Sequence, residues 1–176
     1  MKDIFQSNDI SLVIDNNVLV DLYEIGAIDI LFKAFKYVSI PRIIYEGEIQ
    51  IIVKDMLTKY KFTISDMDDE TAYSTYFSLV NDIELKKLST CDRYAIAIAK
   101  GRSIYCSSND SLVRRACNKY DVLVTGTLGV LGRCFMQNII TKEELDIFID
   151  KIKSDSTSCY ISDKVISEFY DQVKLI

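Results

Sequence analysis

The chain is 176 residues long, 49% apolar and 27% charged, with a formal net charge of -5. That is the size and composition of one globular domain with a single sizeable core. There is no His, and there are one Pro and five Cys, so Ser-His-Asp and Cys-His catalysis and His-ligated zinc are excluded and carboxylates, hydroxyls, thiols or Lys must carry any chemistry.

Short β-branched runs alternate with helical patterns, which predicts an α/β fold with a central, mostly parallel sheet flanked by helices. A strand is predicted over 11–14, ending at Asp15, then a helix over 17–25 with Val18, Leu19, Leu22 and Ile25 on one face. Asp21 on that helix is expected to face solvent or cap locally. A second strand spans 37–40, and Pro41 suits the start of a helix, which the periodicity carries over 43–57. A helix over 69–80 sets Tyr73, Tyr76 and Phe77 at helical spacing, and these are assigned to the core. Next comes an Ala/Ile-rich helix over 89–100, ended by Gly101. It is followed by a strand over 103–107, a helix over 109–120, a strand over 121–125 and a helix over 127–136. Thr141 and Glu144 form a capping box for another helix, the Ser/Asp cluster over 154–158 reads as a turn, and 162–173 is the last helix. A body over 1–140 with a helical pair over 141–176 packed on the same domain is the expected organisation. No run approaches the ~18 apolar residues of a membrane span. Residues 1–9 carry acids and no apolar signal core, so the expected location is cytoplasmic.

The acids fall at element ends. Asp15 lies at the carboxyl end of the first strand, and Asn109-Asp110 lie just past the strand at 103–107. Asp92 sits in the first turn of the helix entering that strand, and Glu46 and Glu48 follow the strand at 37–40. Ligands of open parallel sheets bind outside the carboxyl ends of the strands. Converging carboxylates without His make an oxygen-rich site suited to Mg²⁺ or Mn²⁺. Such ions activate water and stabilise the in-line transition state of phosphodiester hydrolysis. Each acid also has a plainer reading: Asp15-Asn16-Asn17 as an Asx turn, Asp92 and Asp110 as helix caps, Glu46 and Glu48 as a solvated face. The five Cys lack any CxxC pair and read as small hydrophobes. Gly126, Gly129 and Gly132 at helical spacing read as close helix packing, and no G-x-G-x-x-G phosphate loop follows a strand.

Four segments, in order, resemble the PIN-domain ribonucleases, the family that includes VapC-type toxins. They are Val13-Ile14-Asp15-Asn16-Asn17-Val18-Leu19, Pro41-Arg42-Ile43-Ile44-Tyr45-Glu46-Gly47-Glu48, Ser89-Thr90-Cys91-Asp92-Arg93-Tyr94-Ala95 and Ser107-Ser108-Asn109-Asp110-Ser111-Leu112. Val124-Thr125-Gly126-Thr127-Leu128-Gly129 and the closing helices are similar to a PIN-like branch with a Gly-Thr-x-Gly helix and a C-terminal helix pair. The usual Asp-Thr or Asp-Ser of the first segment is Asp15-Asn16 here. The resemblance implies a metal-dependent endoribonuclease with Asp15, Glu46, Asp92 and Asp110 as catalytic and metal-holding carboxylates. Glu48 is the alternative to Glu46, and Asn16, Ser108 and Asn109 are supporting residues. It further implies an RNA substrate, a role as the toxin of a toxin–antitoxin pair with a protein antitoxin, and a homodimer.

Charge is uneven. Residues 86–119 carry eight basic side chains against Asp92 and Asp110, and Arg93, Arg114 and Arg115 are the expected RNA contacts beside the acids. The rival reading is a PIN-like nucleic-acid-binding or regulatory protein without catalysis. A phosphatase using Asp15 as nucleophile would want a second Asp two residues on, where this chain has Asn17.

Overall fold

Val, Ile, Tyr and Thr alternate with Ser in the short runs that pair into the sheet. The computed structural model describes residues 4, 5, 7, 9–154 and 157–174. The turn expected over 154–158 therefore lies partly outside the described residues, at 155 and 156. Its elements are β1 (Ser11–Val13), α1 (Asn16–Glu24), α2 (Ile28–Ala34), β2 (Tyr37–Pro41), α3 (Arg42–Gly47), α4 (Ile51–Leu57), β3 (Thr63–Ser65), α5 (Glu70–Asn81), α6 (Thr90–Gly101), β4 (Tyr105–Ser107), α7 (Ser111–Lys119), β5 (Val124–Thr125), α8 (Thr127–Met136), α9 (Lys142–Lys153) and α10 (Asp163–Lys174), with a 3-10 turn at Ile83–Leu85.

Every ladder is parallel, in the order β3-β2-β1-β4-β5. The sheet is thus wholly, not just mostly, parallel. The chain runs outward from β1 to β2 and β3, then returns through α6 to β4 and β5. The reversal falls between β1 and β4, where an open parallel sheet opens a crevice. The register Leu12↔Tyr105 and Val13↔Cys106 sets the residues that follow, Asp15 and Ser107-Ser108, at that crevice. Central strands covered on both faces read as continuous apolar runs, and Leu12, Val13 and Ile14 are all fully buried.

Helix α6 explains much of the packing. Ser89 Oγ accepts from the Asp92 N–H at 3.0 Å while Asp92 Oδ2 accepts from the Ser89 N–H at 2.9 Å, a complete capping box. Its buried stretch, Ala95 to Ala99, alternates Ala with Ile. The small side chains let the helix lie close over β1, β2 and β4, with α5 alongside. Elsewhere α8 packs on α1, α2, α9 and α10. Gly132 of α8 permits that contact, because a Cβ there would stand 2.8 Å from both Phe169 Cε2 of α10 and Phe5 Cε1. All five cysteines are free, four of them buried. Among the described residues, no helix is long and apolar enough to cross a membrane.

Three expectations are corrected. The helix expected over 43–57 is two helices. The N–H groups of Glu48 and Ile49 both donate to the Ile44 carbonyl, at 2.9 and 3.2 Å, and close α3. The break buries Ile49 and leaves Ile51 and Ile52 exposed, because an unbroken helix could not bring Ile44, Ile49, Val53 and Leu57 to one face. Tyr73 and Phe77 are exposed rather than core: α5 buries Ala72, Thr75 and Leu79. Tyr76 is half-buried, edge-on to Tyr94 at 5.1 Å. Gly101 does not supply the left-handed residue after α6. Ser103 does, with φ 53°, and the Ile104 N–H returns to the Ala99 carbonyl at 3.0 Å.

Candidate metal centre

Asp15 occupies the N-cap position of α1, yet its side chain makes no capping bond. Its backbone N–H donates to Ser107 Oγ at 2.9 Å, which ties the end of β1 to the end of β4. Ser108 Oγ donates to Asp15 Oδ2 over a long 3.5 Å and accepts from the Asp110 N–H at 3.2 Å. The Asp15 residue is only 5% exposed. Its pKa is pushed up from 3.8 to about 7, first by burial, then by the charge of Asp92, with a smaller push from Glu48; the Asn16 N–H and the Ser108 hydroxyl pull the other way.

The structure separates the two glutamates. Both are exposed, and Glu46 pairs with Arg42 at 3.5 Å. Glu48, at the C-cap of α3, lies near enough for its charge to raise the pKa of both Asp15 and Cys91. The Cys91 thiol is pushed up to about 12, first by burial, then by Glu48, Asp92 and Asp15, so it stays protonated and non-nucleophilic. The helix break at 48–50, invisible in the periodicity, is what makes the two glutamates different.

Asp92 commits Oδ2 to its capping box, and its charge still reaches Asp15. Asp110 is exposed, and its Oδ1 caps α7 through the N–H groups of Leu112 (2.7 Å) and Val113 (3.0 Å). The side-chain oxygen of Asn16, next to Asp15, is buried without a hydrogen-bond partner, a costly state for a polar atom. Among the described residues, no three His, Cys, Asp or Glu side chains are gathered into a set that could hold a metal ion. The donor chemistry nonetheless fits a hard divalent cation. Asp15 feels the negative charges of Asp92 and Glu48, and the amide oxygen of the adjacent residue, Asn16, lacks a partner.

Asn109 serves a buried network that the sequence reading missed. Asn109 Nδ2 donates to Asp21 Oδ2 at 2.6 Å and to Thr127 Oγ1 at 2.8 Å. Thr127 Oγ1 donates to Asp21 Oδ2 at 2.7 Å, and the Thr127 N–H donates to Asn109 Oδ1 at 3.0 Å. The Cys159 thiol, in the segment before α10, lies near Asp21 and favours its ionised form. Asp21 is 6% exposed, not facing solvent, and burial raises its pKa above the ordinary value. Its signal was available: it shares the α1 face of Val18, Leu22 and Ile25. The network binds α1, the β4–α7 loop and the start of α8. Gly126 is needed there, since a Cβ would collide with Asn109 Oδ1 and approach Arg114 Nη1 to 3.4 Å. Thr127→Val is expected to cost about 1–3 kcal/mol, because the buried Asp21 carboxyl loses one of its donors and Asn109 Nδ2 one of its acceptors. A shift of the urea unfolding midpoint measures it.

The expected basic surface is thinner than its count. Lys119 pairs with Asp82 and Glu84, each at 2.8 Å, and Arg102 with Asp68 at 2.9 Å. Arg93 Nη2 donates to the carbonyls of Lys86 (3.2 Å) and Leu85 (3.4 Å). Arg114 Nη1 donates to the Ser108 carbonyl at 3.1 Å, and Arg115 to the Glu84 carbonyl at 3.4 Å. Only Arg114 of the three touches the loop that carries Ser108 and Asp110.

No curated protein matches the chain. A family profile, a PIN domain, matches residues 11–175, a span that includes β1 to β5, the acids at the switch point and the closing helices. The chain belongs to the PIN-domain family.

Proposed function

We propose that the protein is a Mg²⁺- or Mn²⁺-dependent endoribonuclease acting in the cytoplasm. The observation that carries the reading is Asp15: buried, uncapped, flanked by two further acids, and set at the switch point of a PIN-domain sheet. Asp15, Asp92 and Glu48 would hold the ion, with Glu48 in preference to Glu46, and Asp110 at their margin. A bound divalent ion supplies Lewis-acid polarisation of the phosphodiester and lowers the pKa of the attacking water. The chain's own residues position these groups. Ser107 and Ser108 hold Asp15 against β4, the capping box fixes Asp92, and Asn109 anchors the loop through Asp21 and Thr127. Arg114, bound to the Ser108 carbonyl of that loop, would meet the RNA backbone, with Arg93 and Arg115 as further contacts.

The test is calorimetric titration of Mn²⁺ with an RNA-cleavage assay on the same samples. Glu48→Gln is expected to weaken Mn²⁺ binding tenfold or more and Glu46→Gln to leave it within about twofold, as removal of one charged ligand implies. The reverse order would return Glu46 to the site. A role as the toxin of a toxin–antitoxin pair, with an antitoxin entering the acidic crevice and a second copy of the chain as partner, belongs to the same reading. The exposed apolar face of α5, Tyr73, Phe77 and Val80, is suited to a protein contact. One observation favours the second reading, a PIN-domain protein that binds RNA without cutting it: no three donors are gathered among the described residues. Failure of the wild type to bind Mn²⁺ at millimolar concentration would select that reading.

A further inference from the structure

A cleft of about 660 Å³ lies beside the carboxylates rather than over them, between α7, β5 and α8 on one side and α10 with the segment before it on the other. We propose that this cleft holds the base of a nucleotide flanking the scissile phosphodiester of a single-stranded RNA. The inference rests on the nuclease reading above and adds a subsite to it.

Three features carry it. The first is continuity. Asn109 forms part of the cleft wall, and the preceding residue, Ser108, touches Asp15, so a strand leaving the carboxylates along this loop enters the cleft directly. The second is charge. Arg114, held by the Ser108 carbonyl at 3.1 Å, lines the cleft on the side of that loop and offers a guanidinium to the connecting phosphate. The one acid in the lining, Glu168, is paired with Lys164 at 3.9 Å. The third is the mixture a base requires: apolar walls from Leu128, Val165 and Phe169, and polar groups for a base edge from Ser162 and Gln172. Tyr160 stands at the cleft 91% exposed, and among the described residues no ring packs on it. An exposed aromatic ring at a cleft that also carries a guanidinium suits the stacking of single-stranded nucleic acid. An apolar peptide would find the walls but would have no use for Arg114 or for the path from Asp15.

The experiment uses the full chain carrying Asp15→Asn, so that RNA stays uncut. Fluorescence anisotropy follows binding of a labelled single-stranded RNA heptamer and of heptamers with one abasic position each. One position is expected to show a loss of about tenfold, the scale of one base–aromatic stack. With Tyr160→Ala added, that same loss should fall below twofold while the other positions keep theirs. Tyr160 is so exposed that its replacement leaves the fold intact, and Val165→Glu, which puts a charge into the cleft wall, should act in the same direction. No abasic position standing out, an unchanged loss in Tyr160→Ala, or no RNA binding at all overturns the proposal. If wild type cuts RNA yet no position stands out, the nuclease reading stands and the cleft falls to a protein segment. If the position-specific loss appears but the wild type cuts no RNA, the cleft still holds a base, while the nuclease reading falls and with it the place beside a scissile bond.

Discussion

Asp15→Asn is expected to stabilise the metal-free protein at pH 8 while abolishing Mn²⁺ binding and RNA cleavage. Folding raises the Asp15 pKa from 3.8 to about 7, with burial the main cause and Asp92 the second. The folded state therefore binds more protons than the unfolded state between those values. The contribution of this group is fully present below about pH 4 and is lost as pH rises through about 7. Above that pH the wild type carries an ionised carboxylate in an apolar, acidic surrounding, and Asn does not. The difference corresponds to about 2–4 kcal/mol, or about 5–10 °C in Tm for a domain of this size. Thermal melts in EDTA from pH 5 to 8 check it: the wild type should lose stability more steeply than the variant, which keeps the slope of the other buried acid, Asp21. Adding Mn²⁺ should raise the wild-type Tm only, because the ion binds the native state. Equal pH slopes in the two proteins would show that Asp15 does not carry this burden.

Arg133→Met is expected to destabilise the protein by about 3–5 kcal/mol, the largest loss from a residue outside the site. Arg133 is fully buried in α8. Nε donates to the Ala34 carbonyl at 2.6 Å, and Nη1 donates to the carbonyls of Ile4 (2.6 Å) and Ser7 (2.8 Å). With its amide oxygen turned inward, Gln137 accepts from Nη2 at 2.9 Å. The guanidinium also lies over the Phe35 ring at 5.1 Å. Burial lowers its pKa below the ordinary value, and the partners that offset this are carbonyl dipoles, one of them at the C-terminal end of α2. Met fills similar volume but leaves those carbonyls buried and unpaired, at about 1–3 kcal/mol each. Urea unfolding of the two proteins measures the loss. A change under 1 kcal/mol would mean that water replaces the guanidinium at no cost.

The Asp21 network and Arg133 share a physical feature: both are polar groups whose partners lie about a hundred residues away. Thr127 Oγ1 meets Asp21 across 106 positions, and Arg133 Nη1 meets Ile4 across 129. Local pattern carries no trace of such pairs beyond the anomaly of a charge on an apolar face. Glu46 and Glu48 show the same limit at shorter range. Their helix is continuous by periodicity, and it breaks only because burying Ile49 against the core outweighs one unbroken turn. On α5 the aromatic spacing was correctly helical, but it marks the outer face, since Ala72, Thr75 and Leu79 fit more closely against α6.

By itself the sequence determined the order of most elements, the α/β class, and the placement of Asp15, Asp92 and Asp110 at element ends. Those are properties of near neighbours: hydrophobic period, capping boxes and the strand-to-helix turns set them within a few residues. Tertiary structure decided which acids face one another, that α5 shows its aromatic side chains to solvent, that Arg133 lies inside, and that a cleft opens beside the Ser108–Asp110 loop. Each depends on which faces the sheet and helices bury together, and that is fixed by close packing of the whole core rather than by any segment alone.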